Sequence, residues 1–199
     1  MAKINDFELK RQAFHILLGV LLVLLLLYGQ INKEIILVIT LGGLLLSYII
    51  KKTKIRIPII HQLLQKFERK NELENFPGKG IIFYLIGVSV ALLLFPKEIA
   101  MASIMVLALG DSVSHLYGLH FGRIRHPLSK TKFLEGTIAG FVAGFIGALF
   151  FLGLFEAFIA SLAAMIVEAV EIRIGTDQVD DNLVMPFVAG AAVWIIRLI

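Results

Sequence analysis

The segment Gly110–Thr137, GDSVSHLYGLHFGRIRHPLSKTKFLEGT, sets an aspartate, several glycines, a basic cluster and a glutamate into an otherwise oily chain. Asp111 stands at the end of an almost wholly apolar run. A charge at bilayer depth costs at least ~2.5–3.5 kcal/mol, so this carboxylate needs a partner, an ion or a chemical role. The residues on either side of the segment read as membrane packing; the segment itself does not.

Working outward, the 199 residues are 58% hydrophobic, with a mean hydropathy of +0.88. Apolar runs of the length that crosses a bilayer as a helix recur along the chain. They fall at about 13–29, 34–50, 80–96, 98–119, 136–153, 154–170 and 183–198. If the junction near Gly153 is a bend and not a break, seven spans become six. The expected fold is all-α: a polytopic membrane helix bundle of about seven transmembrane helices, forming one catalytic domain over residues 1–199. Sixteen of the 19 basic residues lie at the amino terminus and in the 51–79, 120–135 and 171–182 segments, leaving Lys33, Lys97 and Arg197 for the other side. This asymmetry predicts a cytoplasmic amino terminus and, with an odd number of spans, a carboxy terminus outside. The net charge of +4 is thus a topology signal and argues against nucleic-acid binding. The chain has no cysteine, which excludes thiolate chemistry and Cys-based zinc sites. The amino terminus does not read as a cleavable signal, because acidic and basic residues precede a long first run.

Residues 58–71 predict a helix lying on the cytoplasmic interface, with Ile60, Leu63, Leu64 and Phe67 on one face and Pro58 in its first turn. Gly136, Gly140 and Gly144 form a small-residue stripe that suits close helix packing, within the bundle or in a homodimer.

Three polar clusters share the predicted cytoplasmic side. Glu8, Arg11, Gln12, His15 and Gly19 occupy one helical face, and Asp111, Ser114, His115, Gly118 and Gly122 repeat that spacing. The third comprises Glu168 and Glu171, then Asp180, Asp181 and Asn182. Hard carboxylate oxygens suit Mg²⁺ or another divalent cation, which takes one or two carboxylates plus substrate phosphates. Arg123, Arg125, Lys130 and Lys132 could neutralise a polyphosphate, and phosphoryl transfer needs both parts. Gly118 and Gly122 would let backbone approach phosphates, while Gly136 and Thr137 open a helix whose amides could bind an anion. Each piece also has a plainer reading: topology determinants for the cations, a helix cap for Asp181 and Asn182, an intrabundle polar contact for His15. No Gly-x-x-x-x-Gly-Lys-[Ser/Thr] loop and no protein-kinase signature is present.

Three stretches resemble the group of dolichol kinases, phytol kinases and CTP-dependent diacylglycerol kinases, and more distantly the phosphatidate cytidylyltransferases. They are Glu8–Gly19 (ELKRQAFHILLG), Gly110–Thr137, and Glu168 with Asp181–Pro186 (DNLVMP). The resemblance implies a polytopic enzyme that moves phosphate from CTP to a lipid alcohol. It implies that Asp111 and Asp181, with Glu168, handle the metal–triphosphate, with Asn182 beside them. Arg123, Lys130 and Lys132 would bind phosphate and Glu135 would orient the loop; Glu8, Arg11, Ser114 and Asp180 would support the site. Asp111, Asp181 or His15 would take the hydroxyl proton. Phe133 stands where the group carries a hydroxyl residue, with Thr131 available from a shifted register. The rival readings are a CTP:phosphatidate cytidylyltransferase, which would release pyrophosphate, and a transporter or channel whose polar residues line a pathway.

Overall fold

The computed structural model describes residues 6–55, 57–129, 131–170, 173–174 and 177–199. These residues are helical apart from turns, loops, an isolated Arg125–Phe133 bridge and two short antiparallel strands, β1 (Arg173–Ile174) and β2 (Asp177–Gln178). The helices are α1 (Asp6–Leu27), α2 (Lys33–Thr53), α3 (Pro58–Phe67), α4 (Lys70–Asn75), α5 (Lys79–Leu94), α6 (Lys97–Met105), α7 (Ser112–Phe121), α8 (Leu134–Ala148), α9 (Leu154–Ala169) and α10 (Asp181–Leu198). A π-helical segment, Val106–Asp111, joins α6 to α7 without a break. Among the described residues, four helices are long and apolar enough to cross a membrane: α1, α2, Lys97–Phe121 and α10. α5 and α8 are shorter apolar helices.

Each boundary has a local cause. Gly29, at φ 69°, turns the chain after α1, and the Asn32 side chain caps α2 by accepting from the Ile35 N–H at 3.0 Å. α8 and α9 are separate helices, because the chain turns at Leu149–Leu152 and restarts after Gly153. The expected single helix over 58–71 is corrected: it stops at Phe67 and a second begins at Lys70. The break lets Glu68 turn inward, where its carboxylate accepts the Gly78 N–H at 2.7 Å. Burial pushes the Glu68 carboxyl above the usual carboxylate range, with the backbone N–H groups of the 78–80 turn pulling the other way.

The bundle is arranged for a lipid solvent. Its core mixes Leu, Ile, Val and Met with many small side chains, including Ala91, Ala100, Ala102, Ala108, Ala148, Ala157, Ala160, Ala164 and Ala189. Its outer faces carry exposed Leu17, Val38, Leu45, Ile146 and Phe155. Lys97–Phe121 is the central element, with 72% of its apolar window buried against 17% for the peripheral α2. The glycine stripe of α8 packs on this central helix. A Cβ at Gly136 would lie 2.6 Å from the Ser114 carbonyl, and one at Gly140 2.6 Å from the Gly110 carbonyl. The stripe is therefore buried within the chain, and it is not a surface left open for a second copy.

Candidate active site

Asp111 ends the π-helical segment, whose wider turn shifts the register of the side chains that follow it. Glu168 lies in the last turn of α9 and Asp181 begins α10. One carboxylate oxygen from each of Asp111, Glu168 and Asp181 lies within 4.8 Å of the other two. Lys132 reaches in from the 122–133 loop, placing Nζ 2.9 Å from Glu168 Oε1 and 2.8 Å from Asp181 Oδ2. It also donates to the Glu168 carbonyl. Burial works against its charge, but the two carboxylates outweigh burial and hold its pKa above the ordinary lysine range. Ser114 donates to Glu168 Oε1 at 3.3 Å. Glu168 Oε2 is buried with no hydrogen-bond partner among the described residues.

α10 is capped by Asp180, whose Oδ1 accepts the Asn182 N–H at 3.1 Å and the Asn182 side-chain amide at 2.8 Å. The capping alternative considered for Asp181 and Asn182 is thus filled by their neighbour, which leaves both side chains for the interior. Burial raises the Asp180 carboxyl above its usual range, against its bonds to Asn182. Asn182 Oδ1 lies 2.9 Å from Nε2 of buried His15, whose ring stands edge-on to Tyr84 at 4.9 Å. Pro186 has no N–H for the Asn182 carbonyl, and α5 crosses this point at Gly87, where a Cβ would collide with that carbonyl.

The remaining predicted residues divide. Glu135 accepts the backbone N–H groups of Arg123 and Ile124, each at 3.1 Å, and so ties the loop to the start of α8. The Arg123 side chain is exposed. Arg125 packs over the Phe133 ring at 4.3 Å and donates to the Thr131 carbonyl. Thr137 Oγ1 bonds back to the Phe133 carbonyl at 3.4 Å. Glu8 and Arg11 form a separate network, with Glu8 2.9 Å from Arg11, 3.2 Å from Arg69 and 3.1 Å from His115. Gly118, Gly122 and Gly136 lie where chain segments pack closely. Phe133 and α8 occupy the space in front of Gly118 and Gly122, Gly136 packs on Ser114, and the Gly122 N–H bonds the Gly118 carbonyl at 3.0 Å. Lys130 and Glu171 lie outside the described residues.

The chain is 32% identical over 189 residues to an uncharacterized protein of Methanocaldococcus jannaschii, covering 92% of this chain and 91% of the relative. It is 28% identical over 204 residues to CTP-dependent diacylglycerol kinase 1 of Schizosaccharomyces pombe, covering 95% and 93%. Farnesol kinase of Arabidopsis thaliana matches at 28% over 130 residues, 57% of this chain and 41% of the relative. The chain belongs to the polyprenol and lipid kinase group. No family model matches it, and no solved structure does.

The interior also holds polar side chains to which sequence reasoning gave no role in the site, Gln12 of the first cluster among them. Tyr84 Oη, Ser112 Oγ and Gln12 Oε1 are buried without a hydrogen-bond partner among the described residues. Tyr84 is wholly buried, and the room for its hydroxyl is made by Gly19, where a Cβ would collide with it. A tyrosine inside the otherwise apolar run of α5 was the available signal.

Proposed function

We propose that this protein is a membrane-embedded, CTP-dependent lipid kinase that passes the terminal phosphate of the nucleotide to the hydroxyl of a lipid alcohol, such as a prenol or diacylglycerol. The observation that carries the reading is the convergence of Asp111, Glu168 and Asp181 on one point with Lys132 among them. The named relatives are CTP-dependent diacylglycerol, phytol and farnesol kinases, which favours a kinase over a cytidylyltransferase or a transporter.

Three hard oxygen donors, with Glu168 Oε2 buried and unpartnered, fit a cation of the magnesium class. Bound there, it would supply charge neutralisation for a triphosphate. Lys132, with Arg123 and Lys130, would hold phosphate oxygens, and Glu135 keeps the loop backbone in place for them. Asp181 Oδ2 is already engaged, accepting from Lys132 Nζ at 2.8 Å. Asp111 has no hydrogen-bond partner among the described residues and is the better acceptor for the hydroxyl proton. The alcohol oxygen attacks the γ-phosphorus, the β–γ bridging bond breaks, and CDP leaves. His15 and Asn182, bonded to each other, order the same interior.

In this reading the chain crosses the membrane seven times, through α1, α2, α5, Lys97–Phe121, α8, α9 and α10, with the site at the cytoplasmic headgroup level. The basic excess is the support for that orientation. The single domain spans the chain. The test is product analysis with purified protein, labelled CTP and a panel of lipid alcohols. CDP with a phosphorylated lipid is expected; pyrophosphate with a CDP-lipid would overturn the kinase reading.

A further inference from the structure

A cavity of about 270 Å³ lies between α1, α2 and α5 and is roofed by α3. Its wall is almost wholly apolar, with Leu18, Leu46, Ile50, Leu64, Phe67 and Ile81 contributing. α1 and α2 are joined at the 28–32 turn, and both line the cavity with the halves remote from that turn. Of the four long apolar helices, α2 is the least buried, at 17% of its apolar stretch. α3 is held over the cavity by the Phe14–Phe67 ring stack at 4.7 Å, and the Arg69–Glu8 ion pair ties down the end of the helix. Exposed Ile59 lies on the opposite side of α3 from Leu64.

One residue of the wall links this cavity to the carboxylate region. His15 lines the cavity and its Nε2 bonds Asn182, the residue after Asp181. Of the other polar side chains at the wall, Arg11 pairs with Glu8, Ser47 bonds the Pro77 carbonyl and Glu68 accepts the Gly78 N–H, while Glu72 of α4 also contributes. The size is near the low end of small-molecule sites (~300–1,000 Å³), enough for part of a lipid chain and not the whole of it.

We propose that this cavity takes the hydrocarbon chain of the acceptor lipid alcohol, entering sideways between α1 and α2, with the hydroxyl end at His15. The assignment rests on the lipid-kinase reading and adds to it where the acceptor sits. A hydrocarbon chain is the occupant that matches the largely apolar wall, the lipid-facing α2 on one side of it and His15, bonded to the residue after Asp181, on another.

Gly43 supplies the test. A Cβ there would meet only Ile82 Cγ1, at 3.8 Å, so a larger side chain extends into the cavity. Gly43→Leu, and Leu46→Trp from the same wall, should lower kcat/KM for long-chain alcohols at least ~10-fold relative to short-chain ones. The KM for CTP should not change. An unchanged long-to-short ratio in both folded variants overturns the assignment, whatever lipid then fills the space. A long-chain alcohol carrying a photoreactive group should label peptides of α1, α2 or α3, and label confined to other helices also overturns it. Failure of the wild-type protein to phosphorylate any alcohol overturns the kinase reading instead, and the photolabel still reports whether the cavity binds the chain.

Discussion

Lys132 holds together two carboxylates that would otherwise repel, and this makes it the most consequential cation of the site. Its partners Glu168 and Asp181 are 3% and 25% exposed, so removing it strands negative charge in a poorly solvated place. Lys132→Met should cost about 3–5 kcal/mol of stability, the usual effect of breaking a buried pair by deleting one member. Added Mg²⁺ should raise the Tm of Lys132→Met more than that of the wild type, because the ion replaces the lost positive charge. Equal shifts would show that these carboxylates do not bind the ion. Asp111→Asn and Asp181→Asn keep shape and should leave the fold intact, as read by size-exclusion profile and Tm. Each should lower CTP-dependent phosphorylation by at least ~100-fold. Full activity in both would remove the site.

At the scale of helices, the close contact of α8 with the central helix sets where Asp111 lies. A side chain at Gly140 would press on the Gly110 carbonyl, and backbone cannot swing away as a flexible side chain can. Gly140→Val should therefore lower Tm and activity together, whereas Gly42→Val, with nothing within 4 Å of its Cβ, should change neither. Gain of function, or an unaffected Tm, in Gly140→Val would show that α8 can move without disturbing the site. The helices themselves were legible because apolar runs separated by Gly, Pro and charge leave few alternatives, as at Gly29–Asn32 and Pro96–Lys97. The break in α3 was not, because it depends on Glu68 finding the Gly78 N–H ten residues away. Nor was the π-helical turn, which carries no residue pattern of its own and is set by packing around Asp111. In the site, the acidic residues stood out because charge is conspicuous among Leu and Ile. Tyr84 and Ser112 did not, since an unbonded hydroxyl is recognisable only once its surroundings are known.

Over the whole molecule, the two ends of the bundle have different chemistry. The carboxylates and Lys132 gather at one end. At the other, Arg197 of α10 pairs with Glu156 of α9 at 2.6 Å and with Glu98 of α6, tying three helices together. That network explains why charges sit on the side the basic-residue count assigns to the exterior: they satisfy one another across helix ends. The orientation can be tested directly because the chain has no cysteine. Gln30, in the exposed turn between α1 and α2, and exposed Leu128, in the 122–133 loop, are separated by α2, α5 and the central helix. In the proposed topology these three segments cross the membrane, which puts the two positions on opposite faces. A membrane-impermeant maleimide should label Gln30→Cys in intact cells and Leu128→Cys only in inverted vesicles. The reverse pattern would place the carboxylates outside, away from cytoplasmic nucleotide, and labelling of both from one side would mean that one of those three segments does not cross.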